Sequence, residues 1–429
     1  MLFKLVAFLL LLASILSGAA QTAAQGKAAK PKPVQTDGTA PKKRAAKPLD
    51  PRKKFVLDVV QTAVSIPQSD PQDRLRVLNS AAGVVLPISR KLSKQFASEG
   101  VRIEAELIAA GVTPVASLLA SGYADCAAAR DFVERLPAES VVAAEQSLIG
   151  AITACPKTVP TAQQKLELAL EKGVVAARPL LAVIERLGAK NVWSQQQFER
   201  MISSLPSEPN TARQEAPNYA AMYARMAPEV DEDVARSTGL KLLVWLGKLQ
   251  QSGERNLAVN IGTDAMKAAL GEKKYNEALA TDVMARQVAQ SAGQAGEIDR
   301  PEEESASVLK AIDSAGTDRT EELAKMPSSL RAREAAASGF ATGTSGNSKM
   351  ADRYFDIAFA AADEVWASRA QSGDAPAVIE EVSEAAAHVN AVNALQRAQK
   401  LEDPTAQAVG MLAVARVVAG SGDTPVASR

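Results

Sequence analysis

The residues able to do chemistry are few, and their spacing narrows what they can do. Cys126 and Cys155 are the only cysteines and His388 is the only histidine. Any nucleophile–histidine relay has to pass through His388. It lies in the Ala-rich run Glu384-Ala-Ala-Ala-His388-Val-Asn390, with no nucleophile beside it in sequence, and reads as a surface or helix-facing histidine. One His and two distant Cys supply no zinc or other transition-metal ligand set, so neither a metal nor a cofactor is expected. Cys126 and Cys155 also lack the close Cys-x-x-Cys spacing of redox catalysis. They fall on successive helical runs, Tyr123–Leu136 and Glu139–Ala154, joined by a Leu136-Pro137 turn. In an antiparallel hairpin they come toward the same end. A structural disulfide is one expectation for such a pair in an exported chain, and two buried thiols are the other.

Other motifs are incomplete. Ser307-Val-Leu-Lys310 matches the Ser-x-x-Lys of penicillin-recognising serine enzymes, but the Ser-Asp-Asn and Lys-Thr-Gly partners of that set are missing. Glu302-Glu303-Glu304 offers paired carboxylates of the kind used in glycoside cleavage. Behind Pro301, at a helix start, the favourable N-terminal dipole position explains them better. No phosphate-binding Gly-x-x-x-x-Gly-Lys loop and no Gly-x-Ser-x-Gly elbow occurs. No catalytic residue is therefore assigned, and recognition is the remaining role. Trp193, Tyr219, Tyr223, Trp245, Tyr354 and Trp366 are the large side chains able to anchor a partner. Each sits in or beside a helical run, where core packing is the competing use.

The elements that carry these residues are helical. Apolar bulk comes mostly from Ala, Val and Leu, with only 4% aromatic residues, and period-2 alternation is scarce. Asp50-Pro51, Asp70-Pro71 and Asp403-Pro404 each place an Asp cap before a Pro at the first helical position; Thr113-Pro114 is a weaker version. Helices are predicted after Phe55 and Asp70, and over Ser194–Ile202, Asp231–Leu249, Asn256–Leu270, Glu272–Ala292, Glu302–Ala315 and Met350–Ala370. Pro376–Lys400 reads as one long helix or two. Ile66-Pro67, Leu136-Pro137, Leu205-Pro206 and Met326-Pro327 each end one amphipathic run shortly before another begins, and Leu401–Pro404 looks like the same corner. Their spacings are 70, 69, 121 and 75 residues. A period near 70 would hold two two-helix repeats of about 34 residues, hence four helices.

The N-terminus reads differently. Residues 1–20 have the short basic start, apolar stretch and small-residue end of a cleaved signal peptide, and the apolar stretch is too short to span a bilayer. No later stretch is long and apolar enough to cross one. Residues 21–49 form a linker rich in Ala, Lys and Pro that is expected to be disordered. Residues 26–54 hold ten Lys/Arg against two acids, leaving a net charge of −9 from Phe55 onward. The basic segment is either an electrostatic contact to an anionic envelope surface or a solvated spacer. The acidic remainder argues against nucleic acid as a partner. Residues 50–292 and 302–420 are expected as two halves of a helical region, with a frayed tail over 421–429.

From Phe55 to Gly420 this pattern resembles the α-solenoid repeats of the tetratricopeptide and HEAT type, and exported bacterial proteins built from such helical pairs. The Trp-Leu-Gly-Tyr signature of the tetratricopeptide first helix is absent, so the resemblance carries an architecture and no residue-level role. It implies an all-α fold of stacked antiparallel helix pairs, an α-solenoid or superhelical array. The matching function is an exported, periplasmic or extracellular, non-enzymatic scaffold that binds a protein or peptide partner. The alternative is an envelope enzyme or enzyme accessory acting on cell-wall glycan, since similar superhelices accompany the catalytic domains of lytic transglycosylases.

Overall fold

Three Asp-Pro pairs start helices as the sequence predicts. Asp50 accepts from the Arg52 amide at 2.9 Å and Asp70 from the Gln72 amide at 2.9 Å. Asp403 accepts from the amides of Thr405 and Ala406 at 2.7 and 3.2 Å. Each carboxylate satisfies amides that the helix itself leaves without a carbonyl. The computed structural model describes residues 50–174, 177–291, 318–369 and 373–420. The expected signal peptide, the basic linker, the helix over Glu302–Ala315 with its glutamates, Ser307 and Lys310, and the 421–429 tail lie outside the described residues.

Eighteen α-helices and no strand are found among the described residues. The first thirteen are α1 (Pro51–Ser65), α2 (Pro71–Val85), α3 (Arg90–Ala109), α4 (Cys126–Arg135), α5 (Glu145–Ala154), α6 (Val159–Glu171), α7 (Ala177–Leu187), α8 (Val192–Ser203), α9 (Pro209–Met226), α10 (Glu232–Gly247), α11 (Gly253–Leu270), α12 (Glu272–Ala280) and α13 (Val283–Gln290). After the segment 292–317 come α14 (Thr320–Leu323), α15 (Ser328–Thr344), α16 (Ser348–Ala367), α17 (Ala375–Ala398) and α18 (Pro404–Gly420). The fold is an all-α array in which neighbouring helices stack in pairs.

The five corners fall between helices, but they do not mark equal units. The interval from Pro67 to Pro137 holds α2, α3 and α4 with a long loop, whereas Pro137 to Pro206 holds α5 to α8. The expected four helices per period are therefore absent from the first interval. Several local expectations change for identifiable reasons. Thr113-Pro114 starts no helix, because the Gln72 amide group takes both flanking backbone groups: its Nε2 donates to Thr113 O and its Oε1 accepts from Val115 N, each at 2.9 Å. Asn191, three residues before Ser194, caps α8, and Ser194 is fully buried inside it. The run Glu272–Ala292 breaks at Asp282, whose carboxylate accepts from the Ala285 amide at 3.0 Å and so starts α13. Within α17, Asn390 leaves helical geometry (φ −154°, ψ 99°) and caps the amides of Val392 and Asn393 at 3.1 Å. The last long run is thus two helical pieces.

The helices from α1 to α13 pack on chain neighbours, as α2 on α3, and as closely on helices further along, as α9 on α11 and α10 on α13. The C-terminal helices do not extend that series. Helix α15 packs on α16 and α17, α17 packs on α18, and α18 then packs on α1 and α2. The last helix therefore sits inside the stack, and residues Thr405 to Ala415 are buried at all positions but Gln407. Arg369 ties this seam together. Its guanidinium reaches Asp73 of α2 at 3.2 Å and Asp403 at 3.1 Å, and lies 4.8 Å from the centre of the Trp366 ring. Arg416 donates to Ser80 Oγ across the same seam at 3.0 Å.

Candidate partner-binding site

Helix α10 places Lys241, Val244, Trp245 and Lys248 at positions i, i+3, i+4 and i+7, hence along one stripe. The Leu205-Pro206 corner between α8 and α9 faces this stripe. The Trp245 indole is almost wholly buried; its Nε1 donates to Pro206 O at 2.8 Å, and its ring meets Tyr219 edge-on at 5.5 Å between centres. An otherwise costly buried N–H is thereby satisfied, and the corner is fixed to α10. The result is a cleft of 660 Å³ with a floor of Leu205, Pro206, Leu240, Val244 and Trp245.

The cleft's rim is cationic. Arg213 of α9 and the exposed Lys241 and Lys248 line it, and none of the three makes an ion pair among the described residues. Arg213 donates to Asn210 Oδ1 at 2.9 Å. The one acid on the rim, Asp282, is turned toward its own helix as a cap. An apolar floor between unpaired cations suits an anionic segment that also carries apolar side chains. The phenol of Tyr219, beneath the floor, stays neutral: burial, reinforced by Glu215, pushes its pKa well above the ordinary value.

The structure sends the expected partner anchors inward. Tyr219 and Tyr223 are completely buried, Tyr354 and Trp366 nearly so, and Trp193 is half-buried against the core. Tyr223 Oη donates to Ala235 O at 2.9 Å, and Tyr354 Oη accepts from the Arg319 amide at 2.9 Å, so both hydroxyls serve the interior. Of the six, only Trp245 lines the cleft described above. Large aromatics on amphipathic helices are pulled to the core because they remove the most apolar area from water. The local sequence puts Lys241 and Lys248 on the stripe of Trp245 but does not bring Arg213 to them. Their grouping with Arg213 depends on how α9 and α10 meet.

The cysteines do come together. Cys126 opens α4 and Cys155 closes α5, and their Cα atoms are 4.8 Å apart, within disulfide distance. His388 is exposed on α17, its ring edge-on to Phe340 at 6.3 Å between centres, with no hydrogen bond to a nucleophile among the described residues. Among the described residues no group of three or more His, Cys, Asp or Glu is placed to hold a metal ion, and no helix is long and apolar enough to cross a membrane.

Sequence reasoning missed Glu104 of α3, a wholly buried acid with no cationic partner. Its carboxylate accepts from Leu118 N at 3.2 Å and from the hydroxyl of Ser147, with Ser117 also bonded to it. Burial raises its pKa above the ordinary 4.5, and these hydrogen bonds oppose the rise. The signal lay in the pattern, since Glu104 falls on the same stripe as Val101 and Ile108. Comparison with protein-family models, with curated proteins and with solved structures finds no match for this chain.

Proposed function

We propose that the chain is an exported, non-enzymatic α-helical scaffold that binds a protein or peptide partner in the cell envelope through the α9–α10 cleft. The segment it takes is acidic and partly apolar. The observation that carries this reading is the cleft's composition: an apolar floor over Trp245 bordered by Arg213, Lys241 and Lys248, which have no ion-pair partners among the described residues. Export is supported by the apolar N-terminal stretch in the sequence, by a cysteine pair within disulfide distance, and by the lack of a membrane-crossing helix among the described residues. The basic segment 26–54 would then space the scaffold from an anionic envelope surface or touch it weakly.

A peptide library alternating acidic and apolar positions, screened by fluorescence anisotropy against the full chain, tests the reading. Selected peptides should carry Asp or Glu on both sides of a Leu, Ile or Phe, and should weaken steeply with added salt. The Lys241→Glu/Lys248→Glu double variant should lose about tenfold or more in affinity, as expected for two desolvated charge pairs. Selection of the same peptides with unchanged affinity by that variant would overturn the cleft assignment.

A further inference from the structure

A second cavity, of 890 Å³, opens on the seam where the C-terminal helices dock on α2. Asp73, Arg76, Ser80 and Gly83 follow one another along one stripe of α2 facing this seam. Asp73 is taken up by Arg369 and Thr405, and Ser80 by Arg416. Arg76 lies between them and has neither a hydrogen bond nor an ion pair among the described residues; its Nε is buried and unsatisfied. Asp73 lies near enough to feel its charge, but its carboxylate is bonded to Arg369.

Other donors into the same cavity are also unspent. Tyr123 Oη makes no hydrogen bond among the described residues, and its ring reaches in over Gly83, where a Cβ would come within 2.6 Å of the hydroxyl. Asn79 Oδ1 accepts from Ser121 Oγ at 3.0 Å, and its amide N–H groups have no acceptor among the described residues. The acid on the wall, Glu380, is paired with Arg416 at 3.0 Å, a cation it shares with Glu384 at 2.9 Å. The cavity therefore offers one cation that no carboxylate touches among the described residues, together with neutral donors, and its one carboxylate is held by Arg416. Buried donors without acceptors are rare.

We infer that this seam cavity binds an oxyanion group, carboxylate or phosphate, of a small exogenous molecule. Arg76 supplies the charge, and Tyr123 Oη–H and Asn79 Nδ2–H supply the neutral donors. The planar guanidinium fork matches either oxyanion. The donors come from α2 and the loop after α3, while Arg416 and Gly420 wall the cavity from α18. Occupancy therefore also strengthens the docking of the C-terminal helices.

Thermal melting and calorimetric titration of the full chain test this, with inorganic phosphate in one arm, succinate in a second, and chloride at matched ionic strength as the control. At least one oxyanion should raise the Tm saturably beyond chloride, and the arm that does so identifies the ligand's source. Arg76→Gln should weaken that binding about tenfold or more, and Tyr123→Phe by a smaller factor, as for loss of a charged and a neutral hydrogen bond. Without ligand, Arg76→Gln should melt no lower than wild type, since its orphan charge is gone; this separates a lost site from a lost fold. The inference is overturned if neither oxyanion exceeds chloride, or if Arg76→Gln binds as wild type does. Neither outcome bears on the α9–α10 cleft.

Discussion

Glu104 shows how one residue on the wrong side of an amphipathic pattern organises its surroundings. It draws Ser147 of α5 and the 117–118 turn onto α3, so three segments meet at one carboxylate. Gly150 of α5 packs beside it on the same turn, where a Cβ would lie 2.4 Å from the Ala120 amide nitrogen. Because burial raises the Glu104 pKa, the folded chain holds its proton at pH values where the unfolded chain has released it. The stability from that protonated form is complete below about 4.5, the unfolded value, and is lost as pH rises through the folded value. Glu104→Gln cannot titrate. Urea unfolding from pH 4 to 8 should show the variant gaining on wild type as pH rises, then a constant difference. A difference independent of pH would exclude this role. Glu104→Ala should cost about 1–3 kcal/mol at pH 4, because it leaves buried donors unmet, and less as pH rises, because it cannot titrate either.

At the scale of the element, the chain is punctuated by side chains that compete with or complete the helix ladder. The aspartates before Pro51, Pro71 and Pro404 are legible because a cap acts within three residues. Asp282 and Asn390 use the same chemistry inside apparently continuous runs, where their side chains win over the backbone only because the chain must turn there. The pairing of α4 with α5 was similarly readable from the Leu136-Pro137 corner and the positions of Cys126 and Cys155. With the bond formed across a separation of 29 residues, reduction, or the Cys126→Ala/Cys155→Ala variant, should lower stability by about 3–4 kcal/mol in the chain-entropy model. The urea midpoint with and without a phosphine reductant reads this directly, and an unmoved midpoint means the thiols are free in the folded chain.

For the whole molecule, the decisive element is α18. Apart from Gln407 and Arg416 it is apolar nearly all round, the mark of a helix surrounded by others, and it packs against α17 on one side and α1 and α2 on the other. Arg369 and Arg416 add polar ties, but Arg369 is 38% exposed and its ion pairs are partly screened. Apolar burial along α18 is thus the main bond between the two ends of the chain. Leu412 is 1% exposed, and Leu412→Ala should cost about 2–5 kcal/mol. Because α18 joins both ends, the loss should appear in one transition. Hydrogen exchange should show amides of α2 and of α16 losing protection together. Two separable melting steps, with only the C-terminal helices affected, would mean that the ends fold independently.

The sequence by itself determined the helical class, the helix starts at Asp-Pro pairs, the proline corners and the meeting of the two cysteines. All of these rest on forces that act within a few residues or across one hairpin. It did not determine that the last helix lies between α17 and the first pair, that five of the six large aromatics do not line the cleft, or that Arg213 joins Lys241 and Lys248 around Trp245. Those outcomes depend on which apolar faces meet across hundreds of residues, and many Ala-, Val- and Leu-rich stripes in this chain are nearly interchangeable until tertiary packing selects among them. The same selection left Arg76 without a partner at the seam, and so gave the molecule its second candidate site.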